Sequence, residues 1–310
     1  MSRRQKWNKL GLIFAPPENL GWVHTHAALP VADRINDAYR IYFSGRDKIG
    51  RAQIGFFEIE LKNPNQILRV SKEPVIGLGP LGAFDDSGVT TSWIVSHEGR
   101  KYHYYSGWSL GITVPFYFYI GMAVSDDGGE TYRKVSAAPI LERNHIDPYL
   151  TASPCVLVEG GTWKMWYVSC TGWEIKNGQP QHYYHIKYAE SSDGIRWRRD
   201  GLVCIDYTSR SEYAIARPCV LKEDGVYKMW YSHREGKGSY RVGYAESADG
   251  LYWERRDEES GIEISASGWD SEMIAYPFVF GDKDKRYMLY NGNGYGKTGI
   301  GLAVLDQSEK

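Results

Sequence analysis

Apolar and polar residues alternate in short runs along the whole chain, and these runs are rich in aromatic and β-branched side chains. In the stretch 212–253, three such runs follow one another at residues 214–221, 227–232 and 240–247. Gly and Asp residues separate the runs, and a Ser-x-Asp-Gly-x-x-Trp sequence ends the stretch. Runs of this kind between turn residues are typical of β-strands. The stretch therefore predicts an antiparallel sheet of short strands joined by tight turns.

The same design recurs five times. One position of the repeat can be followed through all five copies, at Pro30, Ser92, Pro154, Pro218 and Pro277. The intervals are 62, 62, 64 and 59 residues, so the copies account for residues 1–310 as a single domain. Each copy holds an inner, a central and a third run, and the first four copies add a short outer run. We predict an all-β fold, a five-bladed β-propeller of four-stranded antiparallel blades.

The last copy lacks an outer strand, and the N-terminal segment offers a matching one. Residues 7–13, WNKLGLI, resemble residues 197–203, WRRDGLV, which form the outer strand of the third copy and its exit. We therefore expect residues near 3–14 to complete the fifth blade and close the ring. Such a closure removes two exposed sheet edges.

Composition excludes several classes of function. The chain has 310 residues and 42% hydrophobic content, enough for a substantial core. Its 37 basic and 38 acidic residues give a net charge of −1, which lacks the broad positive field of a nucleic-acid-binding protein. No run is long enough to span a membrane, and the basic N-terminal segment has no apolar stretch of a signal peptide. We expect a cytoplasmic protein, with the oligomeric state left open.

Acidic residues recur at one phase of the repeat, shortly before the inner strands. Six or seven residues before the repeated position, the second to fifth copies carry Asp85 and Asp86, Asp147, Glu212, and Asp270. Carboxylates that converge on a channel repel one another unless a ligand, a proton or a metal balances them. We therefore interpret this ring of acids as a candidate active site at one end of the central channel.

Other polar residues are expected on the same face. These candidate binding residues are Asp85, Glu272, His24 and His26 of the first copy, Arg46, His233, Arg234 and Asn291 from loops after central strands, and Arg217 beside Pro218. Glycosidic bond cleavage uses one carboxyl group as an acid and a second as nucleophile or base. We assign Asp86, Glu212, Asp147 and Asp270 as candidate catalytic residues. The loop aromatics Trp108, Trp173 and Tyr295 are candidates for contact with sugar rings.

Three motifs carry a resemblance to a known group of enzymes. They are FDDSGV at 84–89, central strands such as YKMWY at 227–231, and the ESxDGxxW turns. The chain resembles the five-bladed propeller glycosidases of glycoside hydrolase families 32, 43 and 130, and related propellers of surface-polysaccharide gene clusters. The resemblance implies a positioning Asp at Asp85 or Asp86 and an acid at Glu212. The first-blade position reads VHTH at 23–26 and lacks a carboxylate, so Asp86 or Asp147, or His24, would serve as the base.

Three functional hypotheses follow. The first is a glycoside-acting enzyme that hydrolyses a glycosidic bond of a polysaccharide or oligosaccharide. The second is a non-catalytic carbohydrate-binding or accessory propeller in polysaccharide biosynthesis, which accounts for the missing first-blade carboxylate. The third is a phosphorylase or transferase that holds phosphate or a sugar nucleotide with Arg46, Arg217, His233 and Arg234.

We expect no cofactor. The four Cys residues match no zinc spacing, and Cys155 and Cys219 occupy the same repeat position, which indicates a small core residue. A divalent metal bound by His24, His26, Asp85 and Asp86 is the less favoured alternative, since a His-x-His pair on a strand presents both side chains to one face.

Overall fold

The computed structural model describes residues 4–306, and almost all of its regular structure is β-strand. Strand β1 spans Trp7–Phe14. The first repeat unit contains β2 (Thr25–Ile35), β3 (Ala38–Arg46), β4 (Ala52–Ile59) and β5 (Arg69–Val70). The second contains β6 (Gly88–His97), β7 (Arg100–Leu110), β8 (Phe116–Ser125) and β9 (Arg133–Lys134). The third contains β10 (Thr151–Glu159), β11 (Thr162–Lys176), β12 (Gln179–Ser191) and β13 (Val203–Ile205).

The fourth unit contains β14 (Glu212–Glu223), β15 (Val226–Glu235), β16 (Arg241–Ser247) and β17 (Glu254–Arg255). The last unit contains β18 (Ala275–Asp282), β19 (Lys285–Asn291) and β20 (Ile300–Leu305). Within residues 4–306 the helical segments are a 3-10 turn at Asp257–Glu259 and a short helix, α1, at Asn293–Gly296. No helix within residues 4–306 has the length and apolar character to cross a membrane.

Strand pairing follows the repeat. In each of the first four units the strands pair antiparallel in chain order. A parallel contact of Ala52 with Gly88 links the first unit to the second, and one of Tyr184 with Ala214 links the third to the fourth. The inner strands β2, β6, β10, β14 and β18 each pack against the next, and β18 also packs against β2.

The last sheet has the order β1-β20-β19-β18, so its fourth strand comes from the N-terminal end of the chain. The antiparallel register runs from Trp7 opposite Leu305 to Phe14 opposite Ile300. Residues 4–14 of the expected segment 3–14 are described, whereas residue 3 lies outside the described range. The aromatic ring of Phe14 stacks on Phe57 of the first unit at 4.0 Å, so β1 also contacts the unit that follows it.

Each inner strand carries a bulge just before the repeated position. The register of the inner and central strands shifts there in all five units. At four of these sites a residue with a side chain has positive φ: Leu29 (58°), Ser153 (47°), Arg217 (58°) and Tyr276 (58°). Bulges re-aim the strand locally, which explains why the side chains at these sites leave the regular alternation.

The bulges are also where neighbouring units are joined. Backbone N–H groups of one unit donate to side-chain oxygens on the central strand of the unit before it, in four pairs: Thr91 to Ser44 at 2.9 Å, Ser153 to Ser106 at 2.8 Å, Tyr276 to Ser232 at 2.7 Å and Leu29 to Asn291 at 2.7 Å. The last pair connects the final unit to the first. Buried backbone donors need partners, so these hydrogen bonds help to fix the position of each unit against its neighbour.

Hydrogen bonds also join the outer turn of one unit to its neighbour. In the turn at Ser247, Ser247 Oγ donates to Asp249, whose carboxylate accepts the N–H groups of Leu251 and Tyr252. Trp166 of the preceding unit donates its indole N–H to Gly250 O of this turn at 2.8 Å. This is a structural role, in which an aromatic side chain of one sheet is fixed by the turn of the next. The four cysteines are buried and free.

Candidate functional site

A concave pocket with a volume of about 460 Å³ lies near the start of the inner strands. All five units contribute to it. Its wall is formed by Leu29, Arg46, Ala52, Thr90, Ser106, Trp108, Phe116, Phe118, Leu150, Ala152, Ser153, Val168, His182, Tyr184, Ala216, Arg234, Tyr240, Tyr276 and Tyr295. A concave, mainly apolar pocket with a few converging polar groups is the usual form of a small-ligand site.

Aromatic side chains dominate one side of this pocket. They come mainly from two long hairpins, which extend to Leu110 opposite Phe116 and to Lys176 opposite Gln179. The hairpins meet where the ring of Phe116 contacts the ring of His182 at 5.4 Å. Trp108 contacts Phe118 at 6.0 Å. The two long hairpins therefore build an apolar wall.

Arg234 is the most enclosed cation of the pocket. Its guanidinium lies 4.8 Å from the ring centres of Tyr213 and Tyr240 and donates to the Tyr295 hydroxyl at 2.8 Å. Burial opposes the charge, but the surrounding tyrosines, Tyr240 first, raise the pKa of Arg234 above its ordinary value. The Arg234 Nε is buried and has no hydrogen-bond partner among the residues that the structure describes. Rings on which a guanidinium packs supply a favourable electrostatic contact in place of a carboxylate.

Histidines near the pocket are held neutral. Burial, and secondly the Arg234 charge, lowers the pKa of His182 to about 4. Burial, followed by the charges of Arg46 and Lys297, lowers the pKa of His26 to about 4. His26 lies beside Thr25, whose hydroxyl oxygen is 2.8 Å from Nδ1. At neutral pH both imidazoles are therefore uncharged, and the positive charge of this region resides on the arginines and Lys297.

The structure corrects the prediction of an acidic ring at the channel. No Asp or Glu is among the described residues that line the pocket. Asp85, Asp147 and Asp270 are buried inside the sheets, at 2%, 0% and 2% exposure. Each accepts a hydrogen bond from a central-strand tyrosine and pairs with a cation, in the sets Asp85–Tyr105–Lys134, Asp147–Tyr167–Lys187 and Asp270–Tyr290–Lys9. The acids recur because this packing motif recurs.

Glu212 of the fourth unit is likewise held in a buried ion pair. Arg255 donates to both of its carboxylate oxygens at 2.8 Å, and His233 Nδ1 lies 3.1 Å from Oε1. The Thr208 N–H donates to Oε2 at 2.8 Å. Burial opposes ionisation, yet these hydrogen bonds, those of His233 and Arg255 first, hold the pKa of Glu212 well below its ordinary value. An acid in this state keeps its negative charge and is unsuited to donate a proton to a leaving group.

The remaining predicted residues are distributed differently from the expectation. Asp86 accepts the Gly82 N–H and the Ser87 hydroxyl, and so caps its turn. His24 and Glu272 are exposed and outside the pocket wall. Asn291 is fully buried between units, with its side-chain nitrogen donating to Ala27 O and Gly299 O. Of the thirteen candidates, Arg46 and Arg234 line the pocket.

Arg217 is buried at the inner strands rather than open to the pocket. Its guanidinium donates to the carbonyl oxygens of Thr91 at 3.0 Å and Pro30 at 3.1 Å, and more weakly to Leu29 at 3.4 Å. These carbonyls belong to the first and second units, whereas Arg217 belongs to the fourth. The side chain therefore links inner strands across the molecule.

Sequence reasoning misses most of the pocket wall. It singles out Trp108 and Tyr295 as loop aromatics, but not His182, Tyr184, Tyr240 and Tyr276. Tyr276 directly precedes the repeated position, at a bulge, where the strand alternation fails to predict which way a side chain points. Among residues 4–306, no group of three or more His, Cys, Asp or Glu side chains is arranged to hold a metal ion, including the set around His24 and Asp85.

Solved structures with a similar fold cover nearly the whole chain. A glycosyl hydrolase from Bacteroides ovatus aligns with a TM-score of 0.72 and 16% identity, covering 99% of this chain and 95% of its own. A thermostable family-43 glycoside hydrolase aligns at 0.63 and 17%, covering 94% and 92%. A structure from a study of GH130 mannoside phosphorylases and β-1,2-mannoside hydrolases aligns at 0.69 and 15%, covering 99% and 95%. These neighbours are glycoside-hydrolase-like propellers, and the chain shares that fold.

Relatives in sequence are much closer. No family model matches the chain. The uncharacterized protein MT1551 of Mycobacterium tuberculosis (strain CDC 1551 / Oshkosh) is 43% identical over 301 residues, which cover 97% of this chain and 99% of that protein. The uncharacterized protein Rv1502 of strain ATCC 25618 / H37Rv is 42% identical over the same length, with the same coverage. The chain therefore belongs to the family of these two mycobacterial proteins.

Proposed function

We propose that this chain is a five-bladed propeller that binds a carbohydrate in its pocket and does not cleave it through a carboxylate pair. The observation that carries the proposal is the composition of the pocket wall, which is rich in aromatic rings and contains no Asp or Glu among its described residues. Of the hypotheses raised by the sequence, this is the non-catalytic carbohydrate-binding one.

The arrangement of five blades is supported by contacts between units. Five successive units are built on one plan of antiparallel strands, and the N-terminal strand β1 is the fourth strand of the last unit. The bond from Leu29 to Asn291 repeats between the last and first units the link found between other neighbours. Packing of β18 against β2 agrees with a closed ring.

A carbohydrate ligand is supported by the fold and by the wall. The structural neighbours include glycoside hydrolases and a structure from a study of mannoside phosphorylases. Flat apolar rings such as Trp108 and Phe118 offer a surface for the C–H faces of a sugar, while Ser106 and Tyr276 offer hydroxyl groups. An amphipathic wall of this kind suits a ligand with both apolar and hydroxyl surfaces.

The chemistry of hydrolysis argues against a standard glycosidase. Both stereochemical routes need two carboxyl groups beside the scissile bond, about 5 Å apart for retention and about 6.5–9.5 Å for inversion. Of the acids assigned to those tasks from sequence, Glu212 and Asp147 are held in buried ion pairs. Asp86, the other candidate base, accepts two hydrogen bonds within its own turn and is absent from the pocket wall. We therefore expect binding without turnover by that mechanism.

The test is a panel of neutral oligosaccharides and aryl glycosides, with binding followed by calorimetry and product release by chromatography. Trp108→Ala should weaken binding about tenfold, because ring contacts contribute about 0.5–1.5 kcal/mol beyond burial. Tyr252→Ala is the matched control, since Tyr252 is an exposed aromatic on the outer turn of the fourth unit. Product release that is lost in Glu212→Gln or Asp86→Asn would overturn the proposal in favour of hydrolysis.

Phosphorolysis or glycosyl transfer is a second candidate, favoured by one observation. Arg46 and Arg234, two of the residues assigned to phosphate in that hypothesis, do line the pocket. Product release that depends on added phosphate or on a sugar nucleotide would establish it in the same assay.

A further inference from the structure

The charged side chains that line the pocket are all positive among the described residues. Arg46 and Arg234 are its charged lining residues, and no carboxylate of the described chain lies in the wall. Elsewhere some enclosed arginines pair with acids, as Arg255 does with Glu212, and others donate to backbone carbonyl oxygens, as Arg217 does to Thr91 and Pro30. An anionic ligand in this pocket would therefore meet two guanidinium groups and no carboxylate, so the charge of the wall favours a negatively charged ligand.

The donors of the two arginines are largely unused. Arg46 is exposed at the mouth of the pocket, and its side chain has no hydrogen bond or ion pair within residues 4–306. Arg234 donates one hydrogen bond to the Tyr295 hydroxyl, and its Nε is buried without a partner within residues 4–306. Two guanidinium groups therefore retain donors for a ligand, one at the entrance and one deeper in the wall.

The charges of both arginines affect the same group of the wall, the Tyr276 hydroxyl. Burial raises the pKa of the Tyr276 hydroxyl, and the nearby Tyr184 and Tyr295 raise it further, whereas the charges of Arg234 and Arg46 oppose the rise. The two guanidinium groups, which come from the fourth and first units, thus both lie within electrostatic reach of a hydroxyl of the fifth. Lys297, which acts on His26 together with Arg46, adds positive charge at the mouth.

We infer that the pocket takes a phosphorylated sugar, with Arg46 and Arg234 binding the phosphate, the Tyr276 hydroxyl donating to it, and the sugar ring lying against the aromatic wall. This inference rests on the proposed carbohydrate-binding function. A phosphate ester is favoured over a sugar carboxylate because it has three terminal oxygens and close to two negative charges, which match two cations from separate units. One bidentate guanidinium satisfies a carboxylate, so a uronic acid would leave the second arginine unused.

The experiment uses calorimetry with the full chain and four kinds of probe: glucose, galactose and mannose 1-phosphates, the three parent hexoses, glucuronate, and inorganic phosphate. At least one hexose 1-phosphate should bind about tenfold or more tightly than its parent hexose, and its affinity should fall as salt is raised. Arg46→Gln and Arg234→Gln should each remove most of this preference, measured within each variant as the ratio of its affinity for the hexose 1-phosphate to its affinity for the parent hexose.

Arg51→Gln is the matched control. It removes one positive charge from the same loop as Arg46, but Arg51 pairs with Asp47 at 2.9 Å and is absent from the wall. Its affinity for hexose phosphate should equal that of the wild type. Because Arg234 packs against three tyrosines and its substitution disturbs them, Arg46→Gln, at an exposed position, decides the outcome if Arg234→Gln fails to fold.

The outcomes separate the inference from the function on which it rests. Equal affinity for hexoses and their phosphates, unchanged in Arg46→Gln, would overturn the phosphate inference and leave carbohydrate binding standing. Preference for glucuronate over every phosphate ester would likewise overturn it. Absence of binding by all sugars, neutral and phosphorylated, would overturn both proposals, as would inorganic phosphate binding alone.

Discussion

The side-chain oxygen of Asn291 accepts the backbone N–H of Leu29 at 2.7 Å, which ties the last unit of the chain to the first. The Asn291 nitrogen donates to Ala27 O at 2.7 Å and to Gly299 O at 2.8 Å. At the equivalent position, Ser232 makes the single bond to Tyr276. The junction between the last and first units therefore uses the bond found elsewhere in the repeat, together with two more.

Asn291→Ala should destabilise the protein more than Ser232→Ala. The first change leaves three buried backbone groups without a partner and should lower the free energy of unfolding by about 3 kcal/mol, whereas the second leaves one and should lower it by about 1 kcal/mol. Equilibrium unfolding in urea, followed by tryptophan fluorescence, measures both. Equal losses in the two variants would show that the extra bonds of Asn291 contribute nothing.

Asp147→Asn should reduce stability and leave the pocket intact. Asp147 is fully buried and lies 3.1 Å from both Lys187 and Arg199, so removing its charge strands two cations in the sheet. We expect a loss of about 3–5 kcal/mol. Asp86→Asn is the control, with a loss under about 1 kcal/mol, because an amide oxygen can still accept from the turn.

The same pair of variants tests the role of the acids in ligand binding. At a temperature where Asp147→Asn is folded, calorimetry should give the wild-type affinity for any sugar that binds the pocket. A selective loss of binding, with stability unchanged, would restore Asp147 as a functional residue.

Acid should destabilise the protein partly through Glu212. Its pKa in the folded chain is held well below the ordinary value of 4.5, since the hydrogen bonds of His233 and Arg255 outweigh burial. The unfolded chain therefore takes up the proton first, so this contribution is present above about pH 4.5 and is lost as the pH falls below it. Burial is likewise outweighed at Glu159, where contacts with Lys164 and Tyr227 lower the pKa to about 2, so it adds to the same window.

Urea unfolding between pH 7 and pH 3 measures this effect. Glu212→Gln should be less stable than the wild type at pH 7, and the difference should narrow towards pH 3. A difference that is constant across the range would contradict the assigned shift in pKa.

His182 should remain neutral throughout the physiological range. Burial, and next the charge of Arg234, lowers its pKa to about 4. Its imidazole signals in NMR should therefore show no titration between pH 8 and about pH 5.5. Arg234→Gln should raise this pKa, while Arg51→Gln should leave it unchanged. A midpoint near 6.5 in the wild type would contradict the enclosed environment of the imidazole.

Much of the fold could be predicted from the sequence because the same strand pattern occurs five times, and each copy supports the interpretation of the others. The match of residues 7–13 to residues 197–203 predicted that β1 pairs with the last unit, and its register with β20 confirms this. The turn at Ser247 and Asp249 could also be predicted, since these two residues are hydrogen-bonded and lie only two positions apart in the sequence.

The candidate site was predicted less well, for a physical reason. A recurring acid such as Asp147 marks a recurring environment, but recurrence does not distinguish a channel from an ion pair inside a sheet. The partner Tyr167 lies on the next strand and Lys187 on the strand after it, so their convergence depends on tertiary packing. Bulges at Arg217 and Tyr276 further reverse the expected direction of the side chains that reach the centre.

The position of β1 also affects biosynthesis. Trp7 leaves the ribosome long before its partner Leu305. During synthesis β1 therefore has no strand partner until β20 has been made. Among the strand pairs of the described chain, β1 and β20 are the most distant in sequence, so their pairing closes the longest loop and carries the largest loop-closure entropy.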